Sequence, residues 1–248
     1  GELLAGSLGG SRVSDVLVFQ LPGVEATVDG NTLRLSLTND LHGTFYVEPS
    51  LWGVTGAIEI DLNGHSIYGA DGTAEHPDGW PAILVADDTY DYNGHRGLSI
   101  YDGTFSSNAV IRGGAGYPSS TSEPGGNGGA GIVGETVAMD NEIAHHIHDV
   151  QVIGGRGGNN TGTGDGGAGG TAVAGKLWLL DAVVFRGGDG GDAVTGDGGP
   201  GGDAWWGFNN GSDIGGDIWL YGGNGGSSRS GNGGNGVVYI CADERDEN

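Results

Sequence analysis

Short apolar runs broken by turn residues recur along the chain. Residues 16–21, 33–38, 45–48, 58–63, 66–69, 82–85 and 98–105 are rich in aliphatic, β-branched and aromatic side chains and are bounded by Gly, Asn, Asp or Ser. That is the pattern of short β-strands. Leu33, Leu35 and Leu37 alternate with Arg34 and Ser36, which predicts a strand with one buried face. Residues 150–153, 177–180 and 218–221 are alternating or fully apolar and predict strands too.

From residue 110 onward the strands are joined by a second pattern. Four units, 110–134, 150–175, 183–207 and 218–240, each run from an apolar strand into a glycine-paired stem, a polar tip and a second glycine-paired stem. Outgoing pairs begin at Gly113, Gly154, Gly187 and Gly222, and returning pairs at Gly125, Gly166, Gly198 and Gly233. The steps of 32 to 41 residues lie in the range of solenoid repeats.

Composition sharpens this reading. Glycine supplies 57 of 248 residues, against an ordinary share of about 7%. Each glycine in regular structure costs roughly 0.5–1 kcal/mol of extra entropy, so its abundance needs a packing reason. A period of three provides one. The polyproline II conformation has three residues per turn, so two glycines of every three can face neighbouring backbones while the third residue faces outward. Close backbones then exchange hydrogen bonds. The strict phase and the paired return argue against flexible glycine linkers.

The predicted fold is therefore all-β: a right-handed parallel β-helix (solenoid) with glycine-rich polyglycine-II hairpin arms. Its expected parts are an N-terminal capping or assembly segment (1–53), coils without glycine arms (54–112), repeats carrying the arms (113–240) and an acidic tail (241–248). The runs IEIDLNGHSIYG (58–69) and LSIYDGTF (98–105) resemble coils of the pectin-lyase-like β-helix superfamily over residues 54–240. The stems GGRGG, GGDGG, GGPGG and GGNGG resemble the polyglycine-II sandwich of T-even phage tail-fibre adhesins. They are also similar to glycine-rich domains of mycobacterial surface proteins and to glycine-rich ice-binding proteins. The phage resemblance implies a lattice that displays receptor-contacting loops. This chain departs from it by alternating its glycine runs with apolar strands.

Charge narrows the partners. With 32 acidic and 9 basic residues the net charge is −23, and Lys176 is the single lysine. Such a surface repels nucleic acid and anionic lipid, and it suits solubility, cation binding or a salty medium. Cys241 is the lone cysteine, so no intrachain disulfide forms. No apolar run approaches the roughly 18 residues of a membrane-spanning helix. The chain starts at Gly1 and its one methionine is Met139, which leaves a removed leader and a fragment start as open alternatives.

Candidate chemistry is sparse. Residues 187–195 and 198–206 match a calcium-binding nonapeptide pattern in which Asp192 and Asp203 would be ligands, but their starts are 11 residues apart rather than nine. No cofactor is required. Calcium is the one candidate, with Asp165, Asp189, Asp192, Asp197 and Asp203 as hard-oxygen donors. In AHHIHD (144–149), His146 and His148 share a strand face and could chelate a metal. Asp87, Asp88 and Asp91, with Asp61 and Asp102, are the carboxylates that a glycan-cleaving β-helix would use. No nucleophile elbow, phosphate loop or coupled Ser-His-Asp spacing is present. Trp178, Trp205, Trp206, Trp219, Tyr221 and Tyr239 border the glycine stems and fit core packing or sugar stacking.

These readings converge on a non-enzymatic extracellular or virion-surface adhesin, with a phage tail-fibre or tail-tip component as the leading case. The tips 118–124, 159–165, 192–197 and 227–232 differ in sequence while their stems do not. They supply the candidate receptor contacts Ser119, Ser120, Thr121, Asn159, Asn160, Thr161, Thr195, Ser227, Ser228 and Arg229. The expected partners are a cell-surface receptor or glycan and further copies of the chain, with no nucleic acid and no membrane insertion. The alternatives are a secreted filament subunit and a tailspike-like hydrolase. Ice binding would need a flat array of small side chains, which the charged tips argue against.

Overall fold

The computed structural model describes residues 3–5, 7–8, 19–48, 56–86, 97–104, 109–134, 142–207, 217–232 and 234. The chain begins with β1 (Leu3–Ala5), β2 (Ser7–Leu8), β3 (Phe19–Gln20) and β4 (Val24–Asp29). Five coils of three strands follow. They are β5 (Thr32–Leu37), β6 (Leu41–His42) and β7 (Thr44–Val47); β8 (Ile58–Asp61), β9 (Ile67–Tyr68) and β10 (Ile83–Val85); β11 (Leu98–Tyr101), β12 (Val110–Arg112) and β13 (Ile132–Gly134). The last two are β14 (Glu142–His148), β15 (Gln151–Ile153) and β16 (Val173–Ala174); and β17 (Lys176–Asp181), β18 (Val183–Arg186) and β19 (Trp205–Trp206). A sixth coil contributes β20 (Ile218–Tyr221). The described residues contain no helix.

Corresponding strands of successive coils pair in parallel, giving three six-stranded sheets: β4-β5-β8-β11-β14-β17, β6-β9-β12-β15-β18-β20 and β1-β7-β10-β13-β16-β19. The chain is thus an all-β, parallel-stranded solenoid of the β-helix class. Alternation dictates the interior. Leu35, Ile60, Ile100, Ile147 and Leu180 are in register on the first sheet. Leu41, Ile67, Ile111, Val152, Phe185 and Leu220 align on the second. Phe45, Ile83, Ile132, Val173 and Trp205 align on the third. All but Leu220 are buried, and these three ladders fill the centre of the coils. Identical register keeps like side chains stacked, so one packing solution serves every layer.

β4 runs antiparallel to β5 and covers the first edge of its sheet. Its last residues are exposed, and Val28 is among them. The corners between the first and second sheets are held by side chains. Asp40 Oδ1 accepts from Ser66 N at 2.9 Å, and Asp102 Oδ1 accepts from Gly64 N at 2.9 Å and from the Thr104 hydroxyl at 2.8 Å. Asn63, Asp149 and Ala182 turn these corners at φ 48°, 55° and 49°.

Everything distinctive lies between the second and third sheets. There the coils are joined by long connections: 69–82, 113–131, 154–172 and 187–204, with a fifth leaving β20 at 222. The first lies in the stretch expected to lack glycine stems, yet it makes the same hydrogen bonds as the rest.

Candidate functional site

Each connection runs out and back, and its backbone is satisfied by its neighbours. One glycine of each pair donates to the same-direction stem of the next layer: Gly116 to Arg156 O at 2.8 Å, Gly157 to Asp189 O at 2.9 Å and Gly190 to Asn224 O at 2.8 Å. The other donates across to the opposite-direction stem. Carbonyl-to-amide contacts of this second kind link Ala70, Trp80, Gly114, Gly129, Gly155, Gly170, Gly188, Gly202 and Gly223 in one unbroken zigzag through the stack. A parallel zigzag joins Pro77, Tyr117, Gly126, Gly158, Gly167, Gly191, Gly199, Gly226 and Gly234.

The spacing leaves no room for side chains at the paired positions. A Cβ on Gly155 would overlap the Gly114 carbonyl, and one on Gly188 would overlap that of Gly155. The second glycine of a pair is the one aimed at the preceding layer. The first connection has no such layer before it, and there Ala70, Pro77 and Trp80 take the equivalent places. This is why it escapes a search for glycine pairs. The surviving signal is Gly69, Gly72 and Gly79 in the same three-residue phase.

The third residue of each triplet faces outward, and where the previous layer carries Asp or Asn at the same place, that side chain meets its N–H. Asp71 Oδ1 takes Ala115 N at 2.8 Å, Asp78 Oδ1 takes Asn127 N at 2.7 Å and Asn127 Oδ1 takes Ala168 N at 3.0 Å. Asn159 Oδ1 takes Asp192 N at 2.9 Å, and Asp192 Oδ1 takes Ser227 N at 2.8 Å.

The five carboxylates proposed for calcium lie on these outer faces. Asp165 Oδ1 accepts from Asp197 N, Asp197 Oδ1 from Asn232 N, and Asp189 Oδ1 from Asn224 N. Asp192 also meets Arg156 at 2.8 Å. Partial burial pulls the Asp189 carboxyl up, but the Asn224 backbone N–H, the Arg186 guanidinium and the Asn224 amide outweigh it and hold the group below its ordinary value. Asp203 is raised by burial alone. Among the described residues no three His, Cys, Asp or Glu side chains gather as metal ligands.

The tips are brought together in one row. Ser119, Asn160, Ala193 and Ser228 form consecutive parallel bridges from layer to layer. Thr161 N donates to Ser119 O at 2.9 Å and Val194 N to Asn160 O at 3.1 Å. Ser120, Thr121, Thr161, Thr195, Ser227 and Arg229 are exposed, while Ser119, Asn159 and Ser228 are half-buried. Asn160 is different. Only 1% exposed, it donates to Glu123 O at 2.6 Å and accepts from Gly162 N at 2.7 Å. Its side chain ties two tips together and is not offered to a receptor.

A ledge opens at one end of this row. The first connection turns back early, with Thr73 N on His76 O at 2.7 Å, whereas the second continues to a tip at Ser119–Glu123. The step leaves an open groove of about 810 Å³ lined by Ala74, Pro77, Asp78, residues 117–121 and 123–127, and Thr161.

The other candidates sit elsewhere. Asp61 Oδ1 accepts from Asn63 N and Gly103 N, and buried Asp102 holds the facing turn, so both are occupied by corner backbone. Asp87, Asp88 and Asp91 lie outside the described residues, as do Tyr239 and the side chain of Trp178. His146 and His148 have ring centroids 4.3 Å apart, His148 stacks on Tyr101 at 5.0 Å, and its Nδ1 meets Asp149 at 2.9 Å. Trp205 is core, its Nε1 on Gly175 O at 2.9 Å, while Trp219 and Tyr221 are exposed.

No protein-family model and no curated protein matches the chain. Among solved structures it is similar to a springtail antifreeze protein from Granisotoma rainieri, a bundle of nine polyproline type II helices. The two are 22% identical over 71% of this chain and 96% of that one, with a TM-score of 0.26. A likeness that slight carries no argument about fold or function.

Proposed function

We propose that this chain is a non-enzymatic display scaffold of an extracellular or virion surface, in which a right-handed β-helix carries a polyglycine-II lattice and the lattice presents a row of tips to a receptor or glycan. The observation that carries the reading is the register Ser119–Asn160–Ala193–Ser228. Tips of unlike sequence are held at fixed spacing on stems of like sequence. Repetition of weak sites then yields avidity without a deep pocket. A phage tail-fibre or tail-tip component is the leading setting. Occupation of Asp61 and Asp102 by corner backbone speaks against a glycan-cleaving groove at those residues. Replacing 159–165 and 227–232 by short Gly-Ser turns is expected to abolish attachment to the target surface while leaving the fold and the assembly state intact, the melting temperature falling only by the loss of the Asn159, Asn160 and Asp165 contacts. Unaltered attachment would remove the proposal.

A filament subunit is the second reading. It is favoured by β20, the last described strand of its sheet, whose inward residues Ile218 and Leu220 are only half-buried while Val183 and Phe185 of the layer before are buried. In that case truncation of residues 1–21 prevents polymer formation and the tip replacements do not.

A further inference from the structure

We infer that the ledge between the first and second connections is a binding site for a neutral saccharide, with Tyr117 as the platform on which a sugar ring stacks. This rests on the display reading and names the ligand class of one end of the row.

One residue breaks the lattice rule. Tyr117 occupies a second-glycine position. Its backbone donates to Pro77 O at 2.7 Å and accepts from Gly126 N at 2.9 Å, as the lattice demands. The equivalent residues of later layers are Gly158, Gly191 and Gly226. A Cβ on Gly158 would overlap Tyr117 O, and one on Gly191 or Gly226 would overlap the layer before it. A side chain survives at Tyr117 because the preceding connection has already turned away at Thr73–His76. The ring therefore stands in space that a full-length neighbour would fill, and it remains 41% exposed.

The surroundings fit a sugar better than a peptide. Ser120 and Thr121 supply exposed hydroxyls, Ser119 and Thr161, whose protons are turned to the Glu123 and Ser119 carbonyls, supply hydroxyl acceptors, and Asp78 and Glu123 add carboxylate acceptors, so the rim matches a ring bearing several hydroxyls. A polyproline II peptide needs donors for its carbonyls and an aromatic-lined groove, whereas Tyr117 is the one aromatic lining residue among the described residues. Among the described residues, no lysine or arginine lines the groove. With two carboxylates beside it and a net charge of −23, acidic sugars are repelled. The volume, about 810 Å³, falls within the roughly 300–1,000 Å³ of small-ligand sites.

The test uses the full chain and its Tyr117→Gly and Tyr117→Phe variants, titrated calorimetrically with cellohexaose, chitohexaose, maltohexaose and α-1,6-mannohexaose. At least one is expected to bind saturably, with Tyr117→Gly weakening it tenfold or more and Tyr117→Phe by less than threefold. Tyr117→Gly installs the residue found in the other layers, so it should unfold cooperatively with a melting temperature lowered by only about 2–4 °C, which separates lost binding from lost fold. Binding by none of the four sugars, equal binding by Tyr117→Gly, or tighter binding of a decaproline peptide would overturn the inference. Replacing the 227–232 tip alone, which leaves Thr161 and the rest of the ledge untouched, reads the display proposal independently. Attachment that persists in Tyr117→Gly but fails in the tip-replaced chain would sink the sugar ledge and leave the scaffold standing.

Discussion

Asp165 lies one layer before Asp197 and accepts that residue's backbone N–H on Oδ1 at 2.7 Å. The contact is one instance of a rule along both outer faces of the stack. Where a layer carries Asp or Asn as the third residue of a triplet, its side chain meets the N–H of the third residue in the next layer. Ala168 has no oxygen to offer, and the next layer carries Pro200, which has no N–H to satisfy.

That exception supplies a double-mutant cycle. Pro200→Ala exposes a new N–H opposite Ala168 and should destabilise the chain slightly. Adding Ala168→Asn should restore about 0.5–1.5 kcal/mol, more than Ala168→Asn gives alone. Chemical denaturation of the four proteins measures the coupling, and zero coupling removes the rule.

Two glycines separate steric from conformational cost. Gly155 faces a carbonyl of the preceding layer, so Gly155→Ala must push two layers apart and should cost at least the 1–3 kcal/mol typical of overpacking. Gly30 has open space around it but sits at φ +61°. Gly30→Ala should therefore cost only about 1–2 kcal/mol, the strain of a left-handed residue. Equal melting temperatures for the two variants would mean that the lattice is looser than its hydrogen bonds imply.

Asn160 should behave as a buried structural residue. Asn160→Ala leaves Glu123 O without its amide donor and Gly162 N without its acceptor, at a cost of about 1–3 kcal/mol. Hydrogen exchange should quicken at Gly162 and in the neighbouring tips and stay slow at Gly187–Gly191. Uniform quickening would mean that the tips and stems form one cooperative unit.

Asp189 and Asp203 should shift the pH dependence of stability in opposite directions. The Asp189 carboxyl is lowered from its ordinary 3.8, so its contribution is present above 3.8 and lost as pH falls through the lowered value. The gap in melting temperature between wild type and Asp189→Ala should then narrow in acid. Asp203 is raised, so stability is lost as pH rises from 3.8 through its raised value. Asp203→Asn should melt higher than wild type at pH 7 and equally at pH 3.

Much of the architecture was legible because a strand with one buried face writes itself in period two. Leu33, Leu35 and Leu37 forecast β5, and the runs at 58–63, 82–85 and 98–105 forecast β8, β10 and β11. In β14 the sequence shows His146 and His148 on one strand face but not the strand's extent, because the histidines dilute its apolar signal. Within the expected capping segment, β4, with Glu25, Thr27 and Asp29 along an edge, carries too little apolar pattern to announce a strand. The site was legible in part. Unlike tips on like stems pointed to a row. The roles of Asn160 and Tyr117 were not readable, since each depends on the layer beside it and neither has a local sequence signature.

The shared register also governs how such a chain can change length. Removing 154–186 would join Ile153 directly to Gly187, and every ladder would close again because Ile153 and Arg186 hold equivalent places on the second sheet. Removing a single residue from a stem would instead put an outward side chain against a neighbouring carbonyl. Growth and loss in this architecture are therefore quantised in whole turns of the solenoid, and each turn added brings one new tip at a distance from the last that its own sequence does not set.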